Sequence, residues 1–279
     1  LKAGALRDAP LPRDLCTAIR AGILFAAPLL YRVGRAVMPP PGGDVIGRRR
    51  LDTHLLGLGA LGADVRAAGQ FSFRRRGRRL RGADCFLPEA SVSGTEQLLL
   101  AAAAAEGTTV IRNAACEPHV QDLGRLLCRM GARIEGLGTN RITVHGVDRL
   151  HGATHRIAPD HIEVGSFLAA AAATGGRVTV EDVCEAQYRM IRRPFERLGV
   201  DLSFEAGGVR VDADQGRSIR PDPRGGIPVI DDGPWPQFPS DLMSMLLVLA
   251  TQCTGTVLFF EKMFESRMYF VDHLMGMGA

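Results

Sequence analysis

One short pattern occurs four times along the chain, and this repeat is the feature that most restricts how the chain can fold. In each copy a large apolar residue and a glycine follow an amphipathic stretch with helical spacing. The copies are Leu61-Gly62-Ala63-Asp64, Met130-Gly131-Ala132-Arg133, Leu198-Gly199-Val200-Asp201 and Met277-Gly278-Ala279. They are spaced by about 70 residues, with the last interval about ten residues longer. Because glycine commonly ends a helix in the left-handed conformation, each copy predicts a helix stop before a strand.

The same order of elements is predicted around each copy: an alanine- and leucine-rich helix, a β-branched strand, a second helix and two short strands. The predicted first strands are Thr108–Ile111, Arg177–Val180 and Thr256–Phe259. The predicted second helices are Pro118–Met130, Ala186–Leu198 and Arg267–Met277. The predicted closing strands are Arg133–Glu135 with Ile142–His145, and Asp201–Phe204 with Val209–Val211. Alternating helices and strands of this kind indicate an α/β fold.

Two of the first helices, Leu98–Ala105 and Phe167–Ala173, are nearly all apolar. A helix without a polar face is expected to be covered on all sides, whereas the second helices carry arginines on one side and should face water. Such units would form a ring, with sheets outward and apolar helices inside. We expect two domains, 1–158 and 159–279, with the boundary between a strand at Thr154–Ile157 and a helix that starts after Asp160.

Composition excludes several classes of protein. The 279 residues are 46% hydrophobic and 23% charged with a net charge of +4, which is typical of a soluble globular protein and does not indicate a nucleic-acid partner. Six scattered cysteines without a CxxC pair argue against a zinc or redox site and favour reduced thiols in the cytoplasm. The longest apolar segment, Ala21–Tyr31, is too short to span a bilayer, and no signal peptide is recognisable. We therefore expect a cytoplasmic protein without membrane insertion.

The segment Pro41–His54 is the strongest candidate for a substrate-binding loop. Three glycines permit tight turns, and Asp44 and the run Arg48–Arg50 place an acid beside three guanidinium groups. Guanidinium groups suit carboxylate and phosphate oxygens, and a nearby carboxylate can exchange protons with a bound anion. A solvated basic turn is the alternative interpretation.

A second basic run covers Arg74–Arg81. Because few aromatic residues interleave it, the run is read as a solvated hairpin between short strands rather than a nucleic-acid site. The histidines outside the candidate segments have no metal-ligand spacing, so no metal is expected; they are His119, His145, His151, His155 and His273.

Five stretches together resemble a known family. They are Pro41–Arg49 with Asp52 and His54, Ala105–Ile111 with Asn113–Ala115 and Glu117-Pro118, Pro159–Glu163 with Gly165 and Phe167, Phe238–Asp241, and Phe264–Arg267. In this order and spacing they resemble the enolpyruvyl transferases, and in particular the branch that acts on UDP-N-acetylglucosamine. The resemblance covers nearly the whole chain.

The resemblance implies an EPSP synthase-like fold, in which six βαβαββ units form a two-domain inside-out α/β barrel. This chain holds about four of the six units, so it resembles a fragment that lacks both ends. A lysine-asparagine pair near the family's N-terminus and an arginine near its C-terminus would lie outside it. On its own the fragment is expected to be inactive and to expose apolar surface where the barrel is incomplete.

The implied reaction moves the enolpyruvyl group of phosphoenolpyruvate to the 3′-hydroxyl of UDP-N-acetylglucosamine and releases phosphate, without a cofactor or a metal. This is the first committed step of peptidoglycan precursor synthesis, and a monomer is favoured. Three alternatives stay open: 3-phosphoshikimate 1-carboxyvinyltransferase, a transferase with another nucleotide acceptor, and a catalytically silent paralogue that binds a nucleotide.

The resemblance also implies the catalytic residues. Asp44, in the loop 39–50, stands where the family usually has cysteine, and an aspartate form would escape the epoxide antibiotic fosfomycin, which alkylates the thiol. Arg49 matches the loop arginine that holds phosphoenolpyruvate, and Arg20 matches a second arginine close to it, with a helix-surface arginine as its alternative reading. Asp241 matches the aspartate that takes the proton from the sugar hydroxyl; it could also cap a helix.

Nucleotide-sugar contacts are implied at two places. Ser91, Val92 and Ser93 match the segment that binds the diphosphate ahead of a helix that starts near Gly94, where a capping box between Ser93 and Glu96 is the alternative. Met263 and Arg267 match further contacts, although a methionine here could be plain core. Two departures weaken the match to the usual acceptor: Glu89 replaces a lysine of the diphosphate segment and His161 replaces an arginine.

Overall fold

The repeat seen in the sequence is a structural repeat. The computed structural model describes residues 4, 6, 8–44, 46–205 and 207–279. By its contacts the chain divides into a first unit, Leu1–Val45 with Arg49–Ile157, and a second unit, Ile46–Arg48 with Ala158–Ala279. Val45, which belongs to the candidate loop, lies outside the described residues.

The first unit contains two copies of the predicted order, and each copy ends in a hairpin. The first copy consists of α2 (Ala26–Arg32), β1 (Arg35–Met38), α3 (Asp52–Ala60), β2 (Ala63–Ala67) and β3 (Phe71–Arg75), after the short helix α1 (Arg13–Ala18) and a 3-10 turn at Arg20–Phe25. The second consists of α4 (Val92–Ala102), β5 (Thr108–Arg112), α5 (Pro118–Arg129), β6 (Arg133–Glu135) and β7 (Arg141–His145), preceded by β4 (Asp84–Phe86).

The second unit continues the series. Its first copy consists of α6 (His161–Thr174), β8 (Val178–Val180), α7 (Arg189–Arg197), β9 (Leu202–Glu205) and β10 (Gly208–Val211). A further copy begins with β11 (Val229–Asp231), α8 (Met243–Ala250), β12 (Leu258–Phe260) and α9 (Val271–Gly276). The chain is therefore built from repeated helix-strand-helix-strand-strand units, as the sequence predicts.

The sheets share one topology. Three antiparallel sheets have the order first, third, second strand: β1-β3-β2, β5-β7-β6 and β8-β10-β9. A leading strand pairs in parallel with the first strand of its copy at β4-β5 and at β11-β12. At β4-β5 this completes the βαβαββ pattern. All four predicted glycine stops have positive φ, between 76° at Gly199 and 102° at Gly131, so the left-handed helix ending is confirmed.

Helix α4 lies at the centre of the first unit, as predicted for Leu98–Ala105. Every residue of that stretch except Leu100 is buried. A Cβ on Gly57 of α3 would lie 2.8 Å from Leu98 Cδ2, so the glycine allows α3 to approach α4 closely. In the second unit α6 and α8 form the corresponding pair, and Gly165 has the same relation to Leu242.

The prediction that Phe167–Ala173 is covered on all sides is wrong. Helix α6 starts after Asp160, as predicted, and Asp160 caps it by accepting from the Ile162 and Glu163 amides. Phe167 on the outer face, however, is 57% exposed, and Ala170 is exposed too. The all-apolar composition therefore does not correspond to complete burial within the described residues.

Three other predicted elements differ from the structure. Thr154–Ile157 is not a strand, since β-branched residues form one only where a ladder partner exists; here the Thr154 carbonyl accepts from the Arg129 side chain at 3.3 Å. The helix predicted at Arg267–Met277 is shortened to α9, and the one at Ala186–Leu198 begins with a 3-10 turn at Glu185–Tyr188.

The basic run Arg74–Arg81 is not a hairpin, because β3, in which it begins, and β4 after it lie in different sheets, and it is only partly exposed to solvent. Arg79 is largely buried and donates to the carbonyls of Ala104, Ala105 and Val147, and it also pairs with Asp148. The prediction is wrong for this residue because its guanidinium satisfies the free carbonyls at the end of α4.

Candidate active site

The candidate loop is anchored to the first unit at both of its arms. Gly42 donates from its amide to the Cys16 carbonyl at 3.3 Å, and a Cβ at Gly42 would lie 1.7 Å from the Thr17 carbonyl oxygen, so only glycine fits. At the other arm Arg20 donates from Nη1 to the Arg49 carbonyl at 2.7 Å and from Nη2 to the Arg50 carbonyl at 2.6 Å. Two hydrogen-bond donors of Arg20 therefore hold the loop.

Arg20, Asp44 and Arg49, the predicted residues in and next to the loop, lie around one turn of backbone. Gly43 has a φ of +109°, and a Cβ there would lie 3.3 Å from both the Arg20 Cβ and the Arg49 Nη1 atom. Asp44 follows and is exposed. Burial, and next the Arg49 charge, lower the pKa of Arg20, while the Glu89 carboxylate opposes the shift. The turn thus brings the Arg49 guanidinium and the base of the Arg20 side chain close to Gly43, next to an exposed carboxylate.

The tip of the loop, Ile46–Arg48, belongs to the second unit. The Arg48 amide donates to Glu265 Oε2 at 3.1 Å, and the Ser266 amide donates to the Ile46 carbonyl at 3.2 Å. A Cβ on Gly47 would lie 2.2 Å from the same carboxylate oxygen. Backbone N–H groups, first that of Glu265 and then that of Arg48, lower the pKa of Glu265. Glu265 therefore holds the tip as a carboxylate.

The segment Ser91–Ser93 forms the start of α4. Ser91 is the N-cap and accepts from the Gly94 amide at 3.2 Å, so the capping box proposed between Ser93 and Glu96 is wrong and the helix starts at Val92. The Ser93 hydroxyl instead lies 2.9 Å from His54 Nε2. A helix N-terminus with two serines in its first residues is the kind of element that suits a phosphate.

His54 is a buried residue that sequence reasoning noted only as part of a motif. It is 1% exposed, and burial, followed by the Arg20 charge, lowers its pKa to about 4. The imidazole is therefore neutral near pH 7 and orients Ser93 without adding a charge. Next to it Thr53 donates to the exposed Glu89 carboxylate at 3.3 Å.

Asp241 lies in the 3-10 turn Ser240–Leu242 of the second unit and accepts from Arg267 Nη2 at 2.6 Å. Helix α8 follows without a side-chain cap, so the prediction that Asp241 caps a helix is wrong. Arg267 is mostly buried, and its guanidinium lies 5.2 Å from the centre of the Phe264 ring. The two residues implied as base and nucleotide-sugar contact form an ion pair.

Met263 is not plain core, because its side chain is 40% exposed. Its amide donates to Glu261 Oε1 at 2.9 Å. His161, in contrast, is buried, with its ring centre 5.3 Å from that of Trp235 in an edge-on contact.

Sequence reasoning missed the acids that surround Arg267. Glu261 Oε2 lies 3.8 Å from Arg267 Nε, and Asp232 is buried near it. One signal could have found Glu261: it closely follows the predicted strand Thr256–Phe259, and polar groups of α/β sheets meet at the carboxyl ends of strands. The strand before Asp232 was not predicted. Among the described residues no cluster of three or more histidine, cysteine or acidic side chains has the geometry of a metal site. None of the described helices is long and apolar enough to cross a membrane.

Comparisons with known proteins agree with this architecture. A family model described as EPSP synthase (3-phosphoshikimate 1-carboxyvinyltransferase) matches residues 2–279. Among solved structures, the enolpyruvyl transferase NikO from Streptomyces tendae superposes with a TM-score of 0.75 at 22% identity, over 96% of this chain and 62% of that chain. EPSP synthase from Acinetobacter baumannii gives a TM-score of 0.61 at 21% identity, over 86% of this chain and 54% of that one.

Curated relatives are much more similar in sequence. A UDP-N-acetylglucosamine 1-carboxyvinyltransferase of Treponema denticola is 54% identical over 98% of this chain and 64% of its own length. The enzyme of the same name from Bradyrhizobium diazoefficiens is 52% identical over 100% of this chain and 64% of its own length. The chain thus spans slightly under two thirds of these relatives. With a family match over almost every residue and the repeated fold, the chain belongs to the EPSP synthase family of enolpyruvyl transferases.

Proposed function

We propose that the protein containing this chain transfers the enolpyruvyl group of phosphoenolpyruvate to the 3′-hydroxyl of UDP-N-acetylglucosamine and releases phosphate. The observation that carries the proposal is the identity of 52–54% to relatives named for this reaction, over nearly the whole chain. The anchored loop with Arg20, Asp44 and Arg49 supports it, because it combines cationic groups and an acid at one turn.

The reaction sets the roles of the side chains. The sugar 3′-oxygen bonds to C2 of phosphoenolpyruvate and loses its proton, while C3 gains one; loss of phosphate from C2 and of a proton from C3 then restores the double bond. In the proposal Asp44 protonates C3, Asp241 accepts the hydroxyl proton, and Arg49 holds the phosphoenolpyruvate anion. Arg20 acts beside it, both as a charge and as an anchor of the loop.

The nucleotide sugar has two proposed sets of contacts. The α4 N-terminus, with Ser91, Val92 and Ser93, offers amides and hydroxyls to the diphosphate. Met263 and Arg267 contact the nucleotide sugar in the second unit. An arginine that is already ion-paired with Asp241 would respond to a bound anion by shifting its hydrogen bonds, which links substrate binding to the candidate base.

Phosphate release tests the proposal, with the complete open reading frame as the enzyme and phosphoenolpyruvate with UDP-N-acetylglucosamine as substrates. We expect release by the unmodified protein and a loss of at least about 100-fold in Asp44→Asn and Asp241→Asn, the usual scale of a lost general acid or base. Asp14→Asn, a change of an exposed aspartate in α1, is the matched control. No release above background with any nucleotide-sugar acceptor would sink the proposal.

The aspartate at position 44 has a second test. An epoxide such as fosfomycin alkylates a thiolate but not a well-hydrated carboxylate, so the unmodified protein should resist it. In a Cys184→Ser background, which removes the exposed thiol, Asp44→Cys should gain the mass of one inhibitor and lose activity. Equal labelling with and without Asp44→Cys would contradict this assignment.

Glu89 and His161 stand where the family usually has cations, and this favours a second candidate function in which the acceptor is a different molecule. Glu89 places a carboxylate close enough to Arg20 to oppose the fall of its pKa, and the buried His161 packs edge-on against Trp235. The phosphate assay therefore includes shikimate 3-phosphate and other nucleotide sugars as acceptors. If one of them gives a higher kcat/KM than UDP-N-acetylglucosamine, that compound becomes the proposed acceptor. Binding of a nucleotide without release of phosphate would indicate a silent paralogue.

The proposed reaction also places the protein in the cell. Its product is a precursor of peptidoglycan, so cell shape and cell division would depend on it, and both substrates are cytoplasmic metabolites. Free cysteines among the described residues are compatible with that compartment. We propose that the enzyme works as a monomer without a cofactor or metal, and that this chain alone lacks activity.

A further inference from the structure

A buried acid pair adjoins the Arg267–Asp241 ion pair. Asp232 and Glu261 each follow the last residue of a strand, β11 and β12, and the two strands pair in parallel with Asp231 opposite Phe260. The two acids therefore leave the sheet side by side at the same edge. Neither position is explained by the roles proposed above.

Asp232 has a carboxylate oxygen without a hydrogen-bond donor. The residue is 0% exposed, and its Oδ1 accepts from the Lys262 amide at 2.7 Å. No donor within the described part of the chain reaches Oδ2. A buried carboxylate oxygen left in this way costs free energy unless a proton lies on it or next to it.

Glu261 is the neighbouring acid that could hold a proton next to Asp232 Oδ2. Its side chain is 5% exposed, and Oε1 accepts from the amides of Met263 and Phe264 at 2.9 and 3.0 Å. The Ser240 hydroxyl lies 3.0 Å from Oε2. The remaining neighbour is Arg267, whose Nε lies 3.8 Å from Oε2 and has no hydrogen-bond partner among the described residues.

The charges that face the pair are few. Arg267 approaches from the loop after β12 and is already bonded to Asp241, while the Lys262 amine is bonded to Asp231 at 2.7 Å. Two carboxylates beside one shared guanidinium would leave an excess negative charge in a buried place. Burial, and next the hydrogen bond to Asp232, raise the pKa of Glu261, and the backbone amides of Met263 and Phe264 act in the opposite direction.

We propose that Asp232 and Glu261 share one proton, and that the single negative charge of this pair positions Arg267 beside Asp241. The pair is a positioning element, since neither acid is expected to touch a reacting atom. Its effect on catalysis rests on the proposed function, in which Asp241 takes the sugar proton. The shared proton itself does not depend on that reaction.

Infrared spectroscopy of the 279-residue chain tests for the proton. At about pH 8.5 the Glu96 carboxyl, whose pKa is about 7, is mostly ionised, so a remaining carboxylic-acid carbonyl band belongs to another group. We expect the band in the unmodified chain, in Glu96→Gln and in Asp231→Asn, the neighbouring exposed aspartate that serves as the matched control. We expect it to be lost in Asp232→Asn and in Glu261→Gln. Absence from the unmodified chain, or persistence in either of the last two variants, overturns the shared proton.

Hydrogen exchange of the Arg267 side chain tests the positioning. In a chain labelled with ¹⁵N-arginine, the Nε–H signal of Arg267 is assigned by its loss in Arg267→Lys. Asp232→Asn leaves a full charge on Glu261, so exchange should stay slow, as in Asp231→Asn. Glu261→Gln removes that charge, and exchange should become about tenfold faster, as expected for a lost charge-assisted contact.

Unchanged exchange in Glu261→Gln, or equal acceleration in all three variants, overturns the positioning role. The two measurements need no turnover, so their failure is separate from failure of the phosphate assay. Far-ultraviolet circular dichroism of each variant, compared with the unmodified chain, shows whether the fold has been kept.

Discussion

The guanidinium of Arg20 lies 2.7 Å from the main-chain oxygen of Arg49, and this bond anchors the candidate loop from a segment 29 residues earlier. A second bond to the Arg50 carbonyl, at 2.6 Å, makes the contact bidentate. Lysine cannot reproduce this fork, because its three donors lie on a single nitrogen. Arg20 therefore has a structural role in addition to any contact with substrate.

Loss of this anchor should expose the loop to trypsin, which cleaves after arginine. We expect Arg20→Ala to speed cleavage after Arg48, Arg49 and Arg50 by at least about tenfold, and Arg20→Lys to lie between it and the unmodified chain. Mass spectrometry of the first fragments measures the rates. Arg35→Ala, which removes an exposed ion pair with Asp8, is the control and should leave those sites slow. Equal rates in Arg20→Ala and the control would contradict the anchor.

The repeat explains why most of the fold could be predicted from the sequence. Glycine at a helix end restricts the backbone locally, and four such positions set the register of helices and strands. Pairing partners are not local, so the residue types of Thr154–Ile157 predict a strand although no ladder forms there. The exposure of Phe167 likewise depends on what packs on its helix, which composition does not state.

The candidate site was predictable only in part. Asp44, Arg49 and Asp241 lie in short distinctive motifs, whereas Asp232 and Glu261 are 29 positions apart and look like ordinary polar residues after strands. The sequence does not distinguish Arg79 from the other arginines of its run, which look like solvent-exposed charges. Their roles depend on burial and on donors from distant segments, and neither property is readable from local sequence.

Arg79 should contribute strongly to the stability of the first unit. Its donors satisfy three main-chain carbonyls, two just after α4 and one just after β7, and its side chain is 18% exposed. We expect Arg79→Met, which keeps the length of the side chain, to lower the free energy of unfolding by about 3 kcal/mol because buried carbonyls lose their donor. Urea denaturation measures the change. Arg78→Met, at an exposed neighbour, should stay within about 0.5 kcal/mol, and similar losses in both variants would refute the specific role.

Glu96 should make the chain less stable as the pH rises. Burial, and next the charge of Glu117, raise its pKa from 4.5 to about 7. The folded form thus prefers the neutral acid. The contribution of Glu96 to the free energy of unfolding is complete below about pH 4.5 and is lost as the pH passes 7. The total is roughly 3 kcal/mol. Urea denaturation from about pH 4.5 to 8 should show that Glu96→Gln gains stability over the unmodified chain as the pH rises; parallel profiles would contradict the burial of an acid.

His54 should act in the opposite direction. Its pKa falls from 6.5 to about 4 on folding, so its contribution is present above pH 6.5 and lost as the pH falls towards 4. The loss is also roughly 3 kcal/mol. In the unmodified chain the effects of His54 and Glu96 on the pH dependence of the unfolding free energy largely cancel. In His54→Gln, whose amide can still reach Ser93, the cancellation should disappear and stability should fall more steeply between about pH 4.5 and 7. An unchanged slope would mean that folding does not shift the pKa of the imidazole.

The outer faces of α6 and α8 should bind a hydrophobic dye in the native chain. Phe167, Met245 and Val248 lie exposed on these helices, at 57%, 41% and 40%. Several large exposed apolar side chains on two neighbouring helices can bind such a dye, and the chain spans only 64% of its relatives' length. We expect the double variant Phe167→Ser with Met245→Ser to reduce dye fluorescence by roughly half, with little change in the free energy of unfolding because both side chains are exposed. Leu15→Ser, at a single exposed leucine of α1, should have a smaller effect. A native chain that unfolds cooperatively and binds no dye would show that these faces are covered in solution.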